Sequence, residues 1–138
     1  TYEYLKLEGA SHGLPPVSIA KIDHVRLAGM TSIERMKAAS LPMAYGSDLL
    51  GEMHRHQSEE FVIRGRILPP IEVLRSASVH AAKLLRRAGH IGTVAAGAHA
   101  DIILVDGDPL KDLALLTHQG RHMAAIIKGG RFHKNKLG

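Results

Sequence analysis

A short apolar run that ends in a carboxylate constrains this fold more than any other feature of the sequence. The run from Pro42 to Ser47 leads directly into Asp48, and a histidine-rich loop follows at once. Because the run is short and bounded by Pro and Gly, it predicts a buried strand over residues 43–45. A carboxylate at the C-terminal tip of such a strand lies where α/β barrels place their catalytic groups. The pattern therefore predicts that Asp48 binds a metal or transfers a proton.

Helical periodicity flanks this strand on both sides. Before it, apolar spacing predicts a helix from about residue 18 to Gly29, and a capping-box pattern at Thr31 predicts a second, shorter helix. After it, Ser58 is expected to cap a helix, and residues 71–87 are predicted to be helical with a break near Ser76 and Ser78 left open. Helix, turn and strand in this order form one α/β repeat.

The character of the sequence changes at about residue 89. Three short β-type runs follow, separated by turns that contain glycine: residues 91–94, 100–105 and 124–127. The sequence therefore predicts two parts, an α/β part over residues 1–88 and a β-rich part over residues 89–138.

Length and composition limit what the chain does alone. Its 138 residues suffice for one core but not for a whole eight-stranded α/β barrel, which needs roughly 250. We therefore expect a piece of a longer or divided protein. The sequence contains no cysteine, which fits a cytoplasmic protein. Any metal must therefore be held by histidines and carboxylates. No apolar run approaches the roughly 18 residues of a membrane span, so we expect no membrane partner.

The basic balance of the chain invites a nucleic-acid interpretation. The formal net charge is +5, but the cations are dispersed apart from small groups at Arg86-Arg87 and at Lys134 to Lys136. Aromatic residues make up 4% of the chain, too few to predict a platform on which bases stack. We therefore expect no nucleic-acid partner.

Three segments carry a resemblance to a known family. Ala44-Tyr45-Gly46-Ser47-Asp48 resembles a Gly-Thr-Asp-like end of barrel strand eight, with Ser47 in place of threonine. The run from Leu49 to Ser58 is characteristic of one dipeptidase-like branch, and Gly92 to Leu110 with Ile127 to Arg131 resemble closing sandwich strands. Together they resemble the C-terminal third of a metal-dependent amidohydrolase, close to the Xaa-Pro dipeptidases (prolidases) and zinc-dependent carboxypeptidases.

The resemblance implies a fold and a chemistry. The fold is α/β: the last repeats of a TIM-like (β/α)8 barrel followed by the C-terminal strands of a small β-sandwich. The chemistry is hydrolysis of the amide bond of Xaa-Pro dipeptides or N-acyl amino acids at a centre of one or two zinc ions. The role of the strand-eight aspartate falls on Asp48, as a metal ligand and as general base and then general acid.

The remaining ligands of that family have no counterpart here. Its strand-one His-x-His has no match, because the motif His54-Arg55-His56 follows Asp48 and lies on the wrong element. A catalytic zinc needs about three protein ligands, so we expect the chain alone to be inactive. We expect it to need the remaining barrel segment or another subunit, and to form a homo-oligomer.

Two histidines beyond Asp48 are candidate substrate-binding residues. His54 and His56 are expected on the catalytic face, where imidazoles orient the carboxylate of a small peptide substrate; the alternative is a solvated polar loop. For Asp48 the alternative is an ordinary turn residue. For the whole chain it is a non-catalytic remnant that serves as a binding or scaffold module.

Overall fold

In the computed structural model, which describes residues 2–138, helices come first and a small antiparallel sheet comes last. The helices are α1 (Tyr2–Glu8), α2 (Pro16–Ala38), α3 (Glu60–Gly65), α4 (Pro70–Ala77) and α5 (Val79–Leu84). Short 3₁₀ segments span Gly51–Glu59, Leu113–Leu116 and His118–Gly120. The strands are β1 (Ile102–Val105), β2 (Met123–Lys128) and β3 (Arg131–Asn135), paired in that order. Within residues 2–138, no helix is long and apolar enough to cross a bilayer.

Helix α2 is continuous where the sequence predicts two helices. Pro16 begins it, in the first turn where a missing N–H costs little. The predicted stop at Gly29 and the predicted cap at Thr31 are both wrong. A glycine inside a helix costs only about 1 kcal/mol relative to alanine, which the packing of α2 against α1 outweighs. The hydroxyl of Ser32 donates to the carbonyl oxygen of Ala28 at 2.9 Å, as it does only when the helix runs through.

The predicted strand over residues 43–45 is absent from the part of the chain that the structure describes. These residues form no ladder, and their one backbone tie is the N–H of Tyr45, which donates to the carbonyl oxygen of Ser76 at 2.9 Å. A strand exists only beside another strand that accepts its hydrogen bonds, and no other extended segment lies alongside. The predicted strand over residues 91–94 is also wrong, since only an isolated bridge from Ala88 to Ile91 forms there.

The helices after the candidate site follow the prediction in part. Ser58 lies inside the 3₁₀ segment Gly51–Glu59 instead of capping α3, so that prediction is wrong. The predicted helix over residues 71–87 is divided at Ser78, whose ψ of −94° breaks the helical path between α4 and α5. The hydroxyls of Ser76 and Ser78 bond back to the carbonyls of Val73 and Leu74, which favours such a break.

The sheet forms from the two predicted runs and one further strand. β1 and β2 pair antiparallel with Ile102 opposite Ile127, and β2 turns into β3 through Gly129-Gly130. Both glycines have positive φ, 55° and 76°, as a two-residue hairpin turn requires. β3 was not predicted as a strand because its sequence is mostly polar. β1 and β3 are the edges of the sheet within residues 2–138.

The core joins the two predicted parts of the chain. Leu68 and Val73 come from the helical part, and Leu113 and Leu116 come from the segment between β1 and β2; all four are buried in one cluster. The side chain of Val73 is fully buried, and Leu116 is 3% exposed. Boundaries at residues 88 and 89 stay a prediction, but the apolar core spans them.

Candidate functional site around Asp48

Asp48 lies at a turn that directly follows residues 43–47. Its φ of 51° is left-handed, a conformation that aspartate tolerates better than most residues, and Gly51 repeats it three residues later at 55°. The side chain of Asp48 is exposed, whereas that of the next residue, Leu49, is 5% exposed. The chain therefore reverses with the carboxylate outward and the leucine as an inward anchor.

A cavity of 240 Å³ adjoins Asp48. Residues 46–48 form one wall, and α1, α2 and α3 supply the others. The apolar lining comes from Met30, Ile33 and Ile63. The site is thus an apolar recess with a carboxylate at its border, a form that small-molecule sites commonly take.

The other two carboxylates that line this cavity are already neutralised. Glu3 accepts hydrogen bonds from Arg26 at 3.2 Å and from Arg66 at 2.9 Å. Glu60 accepts from the Nε of Arg64 at 2.7 Å, on the same face of α3. Asp48 makes no ion pair with any residue from 2 to 138, so it is the carboxylate of the three that stays available to a ligand.

Tyr45 anchors the segment before Asp48. Its hydroxyl donates to the carbonyl oxygen of Gln57 at 2.5 Å, and its ring contacts that of Phe61 with centroids 4.6 Å apart. The guanidinium carbon of Arg64 lies 5.7 Å from the centre of the tyrosine ring. Burial, followed by the negative charge of Glu60, raises the pKa of Tyr45 well above its ordinary value. Tyr45 is therefore a neutral structural hydroxyl.

The two candidate histidines lie in different surroundings. His54 is exposed, and its ring makes no hydrogen bond within the described residues 2–138. His56 is half-buried: its Nε2 lies 2.8 Å from Oε1 of Glu8, and its ring stacks on Tyr4 with centroids 3.9 Å apart. Neither histidine hydrogen-bonds to Asp48, so the structure does not bring the three predicted residues into one constellation.

Glu8 is the residue that sequence reasoning missed. Besides His56 it binds Arg55, whose Nη2 donates to Oε2 at 2.6 Å, and Nε2 of His12 lies 3.7 Å from the same oxygen. Burial disfavours the carboxylate, but the hydrogen bond with His56 and the charges of Arg55, His56 and His12 outweigh it, so the pKa of Glu8 lies below its ordinary value. The sequence signals were two spacings of four residues, from Tyr4 to Glu8 and from Glu8 to His12.

The described residues offer one candidate metal ligand and not a complete site. Within residues 2–138, no group of three or more histidine, aspartate or glutamate side chains is arranged to hold a metal ion. A catalytic zinc takes about three protein ligands and keeps a fourth position open. Asp48 would fit as one oxygen ligand, because its carboxylate is exposed and unpaired. A metal centre that includes Asp48 would need further ligands from outside these residues.

Comparison with known proteins agrees with this incomplete site. Residues 1–131 match the Amidohydrolase family. A crystal structure of an amidohydrolase superposes with a TM-score of 0.95 at 47% identity, over 100% of this chain and 33% of that one. A prolidase crystallised with N-methylphosphonate-L-proline gives 0.92 at 41% identity, over 98% of this chain and 33% of that one. An imidazolonepropionase from Rubrobacter xylanophilus is 38% identical over 63 residues, 46% of this chain and 15% of the relative.

The chain thus spans about a third of the length of these solved relatives. This correspondence confirms the predicted fold class, the end of an α/β barrel followed by C-terminal strands, and explains why residues 43–45 lack neighbours. The family generally uses a metal, in keeping with a single available carboxylate at Asp48. By its match over residues 1–131, the chain belongs to the amidohydrolase family.

Proposed function

We propose that the chain is the C-terminal portion of a zinc-dependent amidohydrolase that cleaves Xaa-Pro dipeptides or N-acyl amino acids. The observation that carries the proposal is the likeness to a prolidase at 41% identity over 98% of the chain, including the segment around Asp48. That relative was crystallised with N-methylphosphonate-L-proline, a proline derivative. A proline-containing dipeptide is therefore the first substrate to test.

Asp48 is proposed as a metal ligand and as the general base that later serves as general acid. A zinc ion, when bound, would polarise the scissile carbonyl. The carboxylate of Asp48 stands at the border of an apolar recess and makes no ion pair within residues 2–138, so it is free to accept a proton from the attacking water and pass it to the leaving amine. The remaining ligands are proposed to come from the missing barrel segment or from another subunit.

His54 and His56 are proposed to bind the free carboxylate of the substrate. The exposed ring of His54 is available for this role as it stands. The Nε2 of His56 is occupied by Glu8, a side-chain carboxylate, so a substrate would have to compete with that contact. We therefore propose His54 as the first contact and His56 as a group already committed to a carboxylate.

The experiment compares Asp48→Asn with Asp106→Asn in the complete enzyme, that is, this chain with its remaining barrel segment. Asp106 is a matched control because it is an exposed aspartate beside the sheet whose side chain has no partner in residues 2–138. Loss of general acid–base catalysis predicts a fall in kcat of about 10²–10⁴-fold for Asp48→Asn and none for Asp106→Asn. Substrates are Xaa-Pro dipeptides, N-acyl amino acids and imidazolonepropionate, with metal content measured alongside. Equal rates for the two variants would refute the role of Asp48.

The second candidate is a non-catalytic binding or scaffold module. It is favoured by one observation: residues 2–138 contain no set of side chains able to hold a metal alone. It predicts that adding the remaining barrel segment restores neither metal binding nor turnover. Stoichiometric zinc together with chelator-sensitive hydrolysis would exclude it.

The assembly and the location of the protein are also proposals. We propose a homo-oligomer, because the edges β1 and β3 are open within residues 2–138 and open edges favour association. We also propose a cytoplasmic location, with which a sequence free of cysteine is compatible. Sedimentation of the chain, alone and with the remaining barrel segment, tests the first point. Cell fractionation tests the second.

A further inference from the structure

The side chain of Glu8 joins two parts of the sequence that lie 47 and 48 residues apart. Oε2 accepts from Arg55 and Oε1 pairs with His56, so each carboxylate oxygen has its own partner. Two charge-assisted bonds at separate oxygens fix the plane of a carboxylate as well as its position. Glu8 thus holds the 3₁₀ segment Gly51–Glu59 against the end of α1.

Tyr4 adds a second constraint on the same histidine. It lies one helical turn before Glu8, and its ring stacks on His56 with only 9° between the planes. The stack fixes the face of the imidazole, while Glu8 fixes its Nε2 edge. His56 and Glu8 are 20% and 25% exposed in their side chains, so water competes with this contact only in part.

Within residues 2–138, the hydrogen bonds between α1 and this segment come from Glu8. Beside them, Leu5 on α1 and Leu50, which precedes the segment, line a cavity of 260 Å³. Leu49 before the segment and Met53 within it are buried, at 5% and 6% exposure. The polar contacts of Glu8 are therefore the hydrogen-bonded attachment of the segment to α1.

Glu8 itself lies outside the recess that adjoins Asp48. Glu8 does not contact Asp48. Any effect of Glu8 on Asp48 is therefore transmitted through the residues that Glu8 holds. We infer that Glu8 is a positioning residue: by holding Arg55 and His56, it fixes the reversal of the chain that presents Asp48. This inference rests on the proposed function, because only there does the placement of Asp48 affect a rate.

The first test measures placement without any reaction. In the complete enzyme without substrate, Glu8→Gln keeps the size of the side chain but removes its charge, and Glu52→Gln makes the same change on an exposed residue of the same 3₁₀ segment. We expect the backbone amide signals of residues 48–56 to move in the NMR spectrum of Glu8→Gln, with those of β1, β2 and β3 unchanged. Glu52→Gln should leave Asp48 in place. Identical Asp48 signals in both variants would overturn the inference.

The second test separates positioning from a merely structural role. In the complete enzyme, displacement of a reacting group by about 1 Å lowers the rate by up to about 10²-fold, so we expect Glu8→Gln to lower kcat by about 10- to 100-fold. We expect KM to change less than kcat, because Glu8 does not contact the exposed His54 that is proposed as the first contact of the substrate. A variant that raises KM and leaves kcat intact would overturn the inference in favour of direct substrate binding.

Failure of the proposed function and failure of the inference about Glu8 give different results in these two tests. If the complete unaltered enzyme turns over none of the substrates, the proposed function fails, while the NMR comparison still decides whether Glu8 places Asp48. If Glu8→Gln also loses the signals of the sheet, the variant is unfolded and Arg55→Gln, which removes one of the two bonds, replaces it. Arg55→Gln should shift residues 48–56 alone, and an unchanged spectrum would overturn the inference.

Discussion

Truncation of Leu116 to alanine is expected to destabilise the helices and the sheet together. Leu116 is 3% exposed and belongs to the cluster that joins Leu68 and Val73 to the segment between β1 and β2. Removing a buried leucine side chain costs its transfer free energy plus the cavity left behind, about 2–5 kcal/mol in total. We expect about 3 kcal/mol, because the site is nearly fully buried and its neighbours come from separate elements.

This loss converts into a shift of the melting temperature. An unfolding entropy of about 2.1 cal/mol/K per residue gives about 0.29 kcal/mol/K for 138 residues, so 3 kcal/mol lowers Tm by about 10 °C. Leu110→Ala is the matched control, because Leu110 is 51% exposed and an exposed leucine contributes within about 0.5 kcal/mol.

The assay follows one buried reporter in each part of the chain. The amide of Ala82 in α5 and that of Ala125 in β2 are both buried, and NMR resolves them separately during a thermal melt. We expect both signals to disappear at one temperature, which falls by about 10 °C in Leu116→Ala. Two separate transitions, or a Tm for Leu116→Ala equal to that of Leu110→Ala, would refute a shared core.

Two further predictions concern a close contact and an acid-sensitive carboxylate. Gly92→Ala is expected to lower the free energy of unfolding by about 2–4 kcal/mol in thermal melts, and Gly97→Ala by only about 1 kcal/mol. Both glycines have positive φ (72° and 83°), but a Cβ at Gly92 would lie 2.6 Å from the carbonyl oxygen of Ser78, whereas no atom lies within 4 Å at Gly97. Equal losses would contradict the contact at Gly92. The lowered pKa of Glu8 means that its contribution to stability is present above its ordinary pKa of 4.5 and is lost as pH falls through the lower folded value. The Tm difference between the unaltered chain and Glu8→Gln should therefore shrink as pH falls below 4.5, and a difference that grows over that range would contradict this sign.

The sequence predicted elements whose causes are local. β1 and β2 followed from apolar runs between glycine turns. The break at Ser78 was left open from the sequence, and the structure shows its local cause in hydroxyls that compete for backbone carbonyls. The continuity of α2 through Gly29 was not predictable in this way, because packing against α1 decides it and propensity alone does not.

The candidate site shows the same limit. Asp48 was chosen as a candidate because a short apolar run leads to it, but the recess beside it is lined by α1 and α2, which its local sequence does not indicate. Glu8 and Arg55 are 47 residues apart, and no periodicity within either segment indicates that they meet. The strand predicted over residues 43–45 needs neighbouring strands, which a third of the relatives' length does not supply.

We propose that Asp48 completes a metal centre whose other ligands lie outside this chain. Anomalous diffraction at the zinc edge, from crystals of the complete enzyme, is the decisive measurement. We expect an anomalous peak about 2.0–2.2 Å from a carboxylate oxygen of Asp48. A fully active enzyme whose zinc peak lies beyond the reach of Asp48 would refute this role.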